Sequence, residues 1–457
     1  MKKQLFYLIL GSLMLSSCGL YKSYESQATV PTDVYGEVKT DSVGNMAVTS
    51  WRELFSDPQL QTLIEQVLEQ NSDVQTARLR IQQAELSYKT SKLAYLPTIA
   101  FSPSIDVTKK GDYDKTWSTT LGMAASWQLD IFGASVTNTK RKAKASMKYA
   151  EDLEQATRCQ LISSTAQVYY QLLSLDRQLS IAKEMVGLYE QTYETVQTLF
   201  DAGKYTSPAV HQTKAGLESL KAKIKDVENG IENLEHTLCK LLNEPLHKIA
   251  RGTIDSVKLP VSVYVGLPSD LLKYRPDVRA AERNMEMAYY DVLLKKGAFY
   301  PNITLQANGG WVNGSSSLLN PDPAMWFIQG IGSLVQPIFM GGKLRADLKV
   351  TKMDQQIALI NFRKTVIDAG HEVTTALSSC KLAKDKAPHL QEQVDALAEA
   401  VVATQELMNN GTTSYLEVIT SLQDLLNAQL LTFRTRLMVC CRLLNSTLPL
   451  AEEKNDY

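Results

Sequence analysis

The most reactive arrangement in the sequence is a single thiol at the end of a short apolar run. Lys2 and Lys3 precede an apolar stretch from Leu5 to Leu15, and Leu15-Ser16-Ser17-Cys18 closes it. That stretch is too short to stay behind as a membrane-spanning helix, and charge, apolar core and small residues together make a cleaved export signal. A cysteine at the cut has the pattern of a bacterial lipobox. Its thiol takes a diacylglycerol, and cleavage frees its amine for a further acyl chain. Several chains anchor firmly where one binds marginally. Gly19 follows where an aspartate would commonly favour the inner membrane, so outer membrane lipid is the expected neighbour. Residues 1–17 are expected to be removed and 18–50 to form an acylated linker.

Other chemistry is sparse. The five histidines, His211, His236, His247, His371 and His389, show no metal-ligand spacing, and His371-Glu372 lacks the second histidine a zinc helix needs four positions on. No glycine-rich phosphate loop and no Ser/His/Asp pattern is present. Neither a catalytic residue, nor a metal site, nor a cofactor is expected. Cys159, Cys239, Cys380, Cys440 and Cys441 are an odd number with two adjacent, a poor disulfide framework, and read as packing residues. With 48 Lys+Arg against 49 Asp+Glu the net charge is -1, which gives no reason to expect nucleic acid as a partner.

The elements that carry these residues come as a duplicated unit. Asp73-Val74, Ala77, Ala84, Pro97 and Ile99 recur 204 residues later as Asp277-Val278, Ala281, Ala288, Pro301 and Ile303. The offset grows to 207 for Ile131-Phe132 against Ile338-Phe339, and to 208 for Gly203 against Gly411. Each half alternates strand and helix periods. Ile99, Phe101, Pro103, Ile105 and Val107 alternate with small or polar residues, as do Leu121, Met123, Ala125, Trp127, Leu129 and Ile131. The second half repeats this with Ile303, Leu305, Ala307 and Trp311, a loop expected from Asn313 to Pro323, and a less regular strand from Trp326 to Ile338. Apolar on one face and polar on the other, such strands have the length of membrane-barrel strands, although Pro103 and Pro337 each lack a ladder donor.

The remainder follows a heptad. Leu217, Leu220, Ile224, Val227, Ile231, Leu234, Leu238 and Leu241 step by three and four, which is a coiled-coil seam. A helix from Val136 to Phe200 is expected to end at Gly203, with Pro208 opening the next; Gly411 marks the matching turn, and Pro388 is expected to kink or interrupt the matching helix. The expected fold is mainly helical with a small β portion. A first repeat spans 51–250 (β-hairpin 97–132, helical hairpin 134–242), a second spans 251–448 (β-hairpin 301–339, helical hairpin 342–445), and 449–457 form a tail. Four strands cannot close a barrel, and an open edge in lipid leaves backbone groups unpaired. Oligomerisation is therefore required; periodicity leaves two, three or four chains open.

Three motifs carry a family resemblance. They are Gly266-Leu267-Pro268-Ser269-Asp270-Leu271-Leu272 followed by Arg275-Pro276-Asp277-Val278-Arg279-Ala280-Ala281-Glu282, Trp51 with Phe55, Asp57-Pro58 and Leu60, and Gln336-Pro337-Ile338-Phe339 with Gly341-Gly342. The sequence resembles the lipoprotein branch of the TolC-type outer membrane efflux proteins over nearly all of its length after Cys18. The resemblance implies a homotrimer with a twelve-stranded outer membrane barrel and a helical tunnel reaching into the periplasm. It also implies a periplasmic adaptor, an inner-membrane pump of the resistance-nodulation-division class, and a passive exit duct for drugs or other small molecules. An exit duct for a type I protein secretion system is the alternative. Glu417, six past Gly411, matches an acidic position that in the family points into the constricted tunnel end. The first-half equivalent is Ala209, and a further acidic position of some relatives falls on Thr420, so a single carboxylate per subunit is expected there. Cys18→Ala should abolish acylation while leaving barrel insertion possible; an unmodified cysteine at the mature wild-type N-terminus by mass spectrometry would contradict the anchor.

Overall fold

A computed structural model describes residues 22–26, 50–108, 116–133, 135–253, 274–315, 325–410 and 412–447. Cys18, Gly411 and the 266–272 motif lie outside the described residues. The chain forms two compact units, and each draws on both sequence halves. One comprises Met1–Ala28, Leu79–Asp152 and Ala280–Lys364, the other Thr29–Arg78, Leu153–Arg279 and Thr365–Tyr457.

The first unit holds an antiparallel sheet of β1 (Thr98–Phe101), β2 (Ser104–Thr108), β3 (Thr116–Leu129), β4 (Asn302–Ser315) and β5 (Met325–Val335). β1 and β2 both pair with β3, which pairs with β4, which pairs with β5. One expected strand is thus two, and the cause is local. Ser102 still donates to the Gly122 carbonyl at 2.9 Å, but Pro103 has no N–H to give, so the ladder breaks there. Pro337 escapes this restriction because β5 ends at Val335. The loop expected from Asn313 begins later. Asn313, Gly314 and Ser315 pair with Thr119, Ser118 and Trp117, because a long partner strand keeps supplying ladder groups to residues whose types suggest a turn. Gly310 opposes Gly122 in the same register. A Cβ at Gly310 would collide with the Leu121 carbonyl oxygen and the Gly122 Cα, so the strands can approach this closely only without one.

The helices are α1 (Trp51–Leu54), α2 (Pro58–Gln70), α3 (Ser72–Leu93), α4 (Val136–Asp201), α5 (Ser207–Leu242), α6 (Pro276–Gly297), α7 (Lys343–Asn409) and α8 (Tyr415–Thr447). Asp57 caps α2 by accepting from the Gln59 N–H at 2.9 Å, with Pro58 at the first helical position. α4 spans 66 residues, about 100 Å at 1.5 Å per residue. α7 is as long and runs through Pro388 without a break. The expected interruption is absent because residues 384–389 are all exposed, so water can take the carbonyl that proline leaves unpaired.

Among the described residues the second unit has two large cores and a smaller one of Val196, Ala209 and Val210 beside the turns. Trp51, Phe55, Leu60, Ile64 and Val67 of the N-terminal helices pack on Ile162, Tyr169, Leu172, Leu173, Leu238 and Leu242. Farther along α4 and α7, Ile181, Met185 and Tyr189 meet Leu217, Leu220, Val401, Met408, Val418 and Leu422. Both are heptad seams in which apolar burial overcomes the loss of chain freedom. In the first unit, by contrast, Leu79, Leu86 and Leu93 on α3 and Val350, Met353, Ile357 and Ile360 on α7 repeat at seam spacing yet are exposed. Gly310→Val should destabilise the sheet by about 1–3 kcal/mol through overpacking, whereas Gly330→Val, with nothing within 4 Å of its Cβ, should be tolerated. Equal loss of heat-resistant β signal by circular dichroism in both variants would contradict the close-approach argument.

Candidate functional site

The sheet is built inside out. On one face lie Ile99, Phe101, Ile105, Val107, Leu121, Met123, Trp127, Leu305, Trp311, Trp326, Ile328 and Leu334, all exposed. Ladder register puts Leu121, Trp311 and Trp326 side by side, and Trp127 beside Leu305. The other face is polar across β2, β3 and β4, with Ser104, Thr120, Ser126, Gln128, Thr304, Gln306 and Asn308, and mixed on β5, where Gln329 stands between Phe327 and Ile331. Asp106 is the sole ionisable residue in the five strands. Water on the first face would cost heavily, and hydrocarbon would not. Trp117 and Trp127 are ten residues apart on β3, about 33 Å along the strand or about 25 Å at a 40° tilt, the height of a barrel's apolar band. No helix among the described residues is long and apolar enough to cross a membrane.

In the second unit, two turns meet. α4 stops where Gly203 takes φ 73°. Its N–H donates to Phe200 O at 2.9 Å and the Lys204 N–H to Leu199 O at 2.8 Å, a complete Schellman ending that a Cβ would strain. The second turn repeats the longer bond, Thr412 N–H to Leu407 O at 2.9 Å, 208 residues on; Gly411 itself is outside the described residues. Tyr205 and Tyr415 lock the turns together edge to face, centroids 5.8 Å apart. The Tyr205 hydroxyl donates to Thr413 O at 3.4 Å, and the Tyr415 hydroxyl donates to Gln212 Oε1. Beside them Glu417 is exposed in the first turn of α8, where its carboxylate accepts from the Thr413 hydroxyl and benefits from the helix dipole. Repeat pattern alone does not reveal the tyrosine pair, because its members are not at equivalent repeat positions: Tyr205 corresponds to Thr413.

The Arg275-Pro276-Asp277 motif builds an ion cluster around a largely shielded guanidinium. Pro276 opens α6, and Asp277 Oδ1 accepts from the Val278 N–H at 2.9 Å. The Arg275 guanidinium grips Asp277 at 3.0 and 2.7 Å and reaches Glu372 of α7 at 2.8 Å. Burial works against its charge, yet the two carboxylates outweigh that and raise its pKa. In the first repeat this place belongs to Asn71. There the amide accepts from the Asp73 N–H and donates to Leu241 O, both at 2.8 Å. One helix start is thus tied to a neighbour by an ion cluster in one repeat and by a neutral amide in the other.

A second cluster escaped the sequence reading. Arg251 bonds Asp176 at 2.5 and 3.0 Å and also Glu235. Desolvation opposes its charge, but the two acids raise its pKa overall. Alongside, the Tyr169 hydroxyl donates to Asp57 at 2.7 Å and accepts from the Gly252 N–H at 3.2 Å. Burial raises the Tyr169 pKa, and the Asp57 carboxylate raises it further, so the phenol stays a donor. No grouping of three or more metal-ligating side chains occurs among the described residues.

A sheet with an exposed apolar face, in a chain whose long helices pair along heptad seams, is the build of a channel subunit. The chain belongs to the outer membrane efflux protein family, whose profile matches residues 63–244 and 267–437. It is similar to the cation efflux system protein CusC of Escherichia coli, 28% identical over 420 residues, 89% of this chain and 90% of CusC. It is also similar to the toluene efflux pump outer membrane protein TtgC of Pseudomonas putida, 27% identical over 452 residues, 94% of this chain and 90% of TtgC. Two solved structures share the fold. The outer membrane channel OprN superposes with a TM-score of 0.83 at 22% identity, covering 94% of this chain and 98% of OprN. The open state of the Neisseria gonorrhoeae MtrE channel gives 0.80 at 24% identity, covering 94% and 96%. The protein is thus an outer membrane channel, the exit duct of an efflux pump.

Arg275→Met should lower stability by about 2 kcal/mol, less than for a fully buried pair because both acids are partly hydrated, and Arg275→Lys should recover only part, since an ammonium cannot grip Asp277 with two parallel bonds. Thermal melts of the helical signal in detergent check this. Wild-type melting of Arg275→Met would mean that the cluster carries no stability.

Proposed function

We propose that the chain works as a homotrimer whose strands, with β1 and β2 counted as one interrupted strand, close one twelve-stranded barrel, and that the trimer is a passive duct receiving small molecules or ions. The pump is of the resistance-nodulation-division class in the inner membrane, and a periplasmic adaptor joins the two. One observation carries the shared barrel, with the number three taken from the family: both outer edges of the sheet, β1 with β2 and β5, lack a partner strand among the described residues. Edges in lipid must pair, and three copies joined β5 to β1 complete the ladder. The exposed heptads on α3 and α7 support the same reading, because such stripes bury against further helices. Acyl chains on Cys18 hold the assembly in the membrane, and the duplicated units 51–250 and 251–448 each supply a hairpin of both kinds. CusC and TtgC are named for cations and toluene; for this chain a broad range of small solutes fits a polar, nearly uncharged sheet face, with choice of cargo left to the pump.

The gate is assigned to the turns of Gly203 and Gly411, with Glu417 the carboxylate at the constriction. Exposure of Glu417 at the start of α8 and the tyrosine lock beside it support this. Around a threefold axis three such carboxylates favour cations at the mouth. The trimer reconstituted in planar bilayers should conduct, and Glu417→Gln should lower cation preference several-fold and weaken block by multivalent cations from the periplasmic side. Unchanged selectivity and block would remove Glu417 from the gate, whereas absence of conductance in the wild type would remove the duct itself.

A further inference from the structure

We propose that the basic residues opening α4 and α7 dock the anionic phospholipid headgroups of the leaflet at the helical end of the barrel. Residues 136–148 hold Lys140, Arg141, Lys142, Lys144 and Lys148 with no carboxylate, and residues 343–352 hold Lys343, Arg345, Lys349 and Lys352 against Asp347 alone. This is not the general character of the helices. Residues 399–424 hold Glu399, Glu406, Glu417 and Asp424 with no Lys or Arg. Lys343 and Arg345 stand in the first turn of α7, where cations oppose the helix dipole; in α4 the basic cluster begins one turn in, at Lys140. Both sequence repeats thus concentrate cations just past the same strand-to-helix junction.

The position is fixed by the membrane-facing sheet. β3 ends at Leu129 and α4 starts at Val136, while β5 ends at Val335 and α7 starts at Lys343. At 1.5 Å per residue, Lys140 to Lys144 lie within about 12 Å of the start of α4, and Lys343 to Lys349 within about 9 Å of the start of α7. The headgroup layer next to the hydrocarbon is about 5–8 Å deep, so Lys140, Lys343 and Arg345 fall within its depth and Lys144 and Lys349 reach its outer margin. Aromatic contacts join the two surfaces. The Trp127 indole donates to Tyr95 O at 2.9 Å, the Tyr95 hydroxyl donates to Thr137 Oγ1 at 3.0 Å, and the Lys140 ammonium stands 5.4 Å from the Tyr95 ring centroid. Trp127 and Tyr95 thus form an interfacial belt that passes directly into the cations. Lys142 is satisfied by Asp291 at 2.7 Å, whereas Lys144, Lys343, Arg345 and Lys349 are exposed and form no ion pair within the described residues. A surface continuous with the lipid-facing sheet, basic and water-exposed, complements phosphodiester headgroups.

Full-length protein in detergent, offered phosphatidylglycerol or phosphatidylcholine and weighed with its bound lipid by native mass spectrometry, tests this. The wild type should retain phosphatidylglycerol about tenfold better, a preference that fades as salt shortens the screening length. The combined Lys140→Gln, Lys144→Gln, Lys343→Gln and Lys349→Gln variant should lose the preference, and arginine at the same four positions should keep it. Equal retention of the two lipids by the wild type, or salt-independent retention, overturns the proposal even where the glutamine variant does not assemble. An assembled glutamine variant with undiminished phosphatidylglycerol but altered bilayer ion selectivity also overturns it, by placing the lysines in the lumen.

Discussion

Everything in this chain follows from one constraint: a peptide group in hydrocarbon must find its hydrogen-bond partner within the protein. A helix meets it alone and a sheet meets it only when closed. Here the membrane-facing surface is a sheet whose two edges, β1 with β2 on one side and β5 on the other, have no partner strand among the described residues. The constraint also explains the inversion of the sheet. Ile328 and Trp326, which a water-soluble sheet would hide, stand exposed, while serine, threonine, asparagine and glutamine take the opposite face.

The helices answer a different problem, that of making a long and stiff element without a globular core. A 66-residue helix gains little from its ends, so its stability comes from the seams that Tyr189, Leu217, Leu220 and Leu422 fill. Two arginines of low exposure collect acids from distant parts of the chain. Arg275, at the start of α6, and Arg251, past the end of α5, each gather two carboxylates, and each stays charged because its acids outweigh desolvation. Asn71 at the place equivalent to Arg275 shows that the duplicated unit needs a tie there, and that an ion cluster is one way to make it.

Periodicity made the strands and seams legible, since side chains repeat every 2 residues in a strand and every 3.5 in a coiled coil. Val136 to Phe200 as one helix, Asp57 as a cap and Gly203 as a stop could all be read from local chemistry. What resisted reading was non-local. Nothing near Pro388 says that its neighbours are exposed enough for the helix to continue, and nothing in Asn313-Gly314-Ser315 says that β3 is long enough to hold them in the sheet. Arg275 and Glu372 are 97 positions apart, and Arg251 and Asp176 are 75 apart; their pairing depends on which helices are neighbours. Cys18 and Gly411, read from the sequence, fall outside the described residues and rest on pattern alone.

The central claim is that the unpaired sheet edges are closed by further copies of the chain, three of them in the proposed barrel. Mass measurement of the detergent-extracted complex, with its β content measured alongside, tests that claim most directly. The account predicts a single species of three chains and no folded monomer. A monodisperse monomer retaining the full β signal would contradict it.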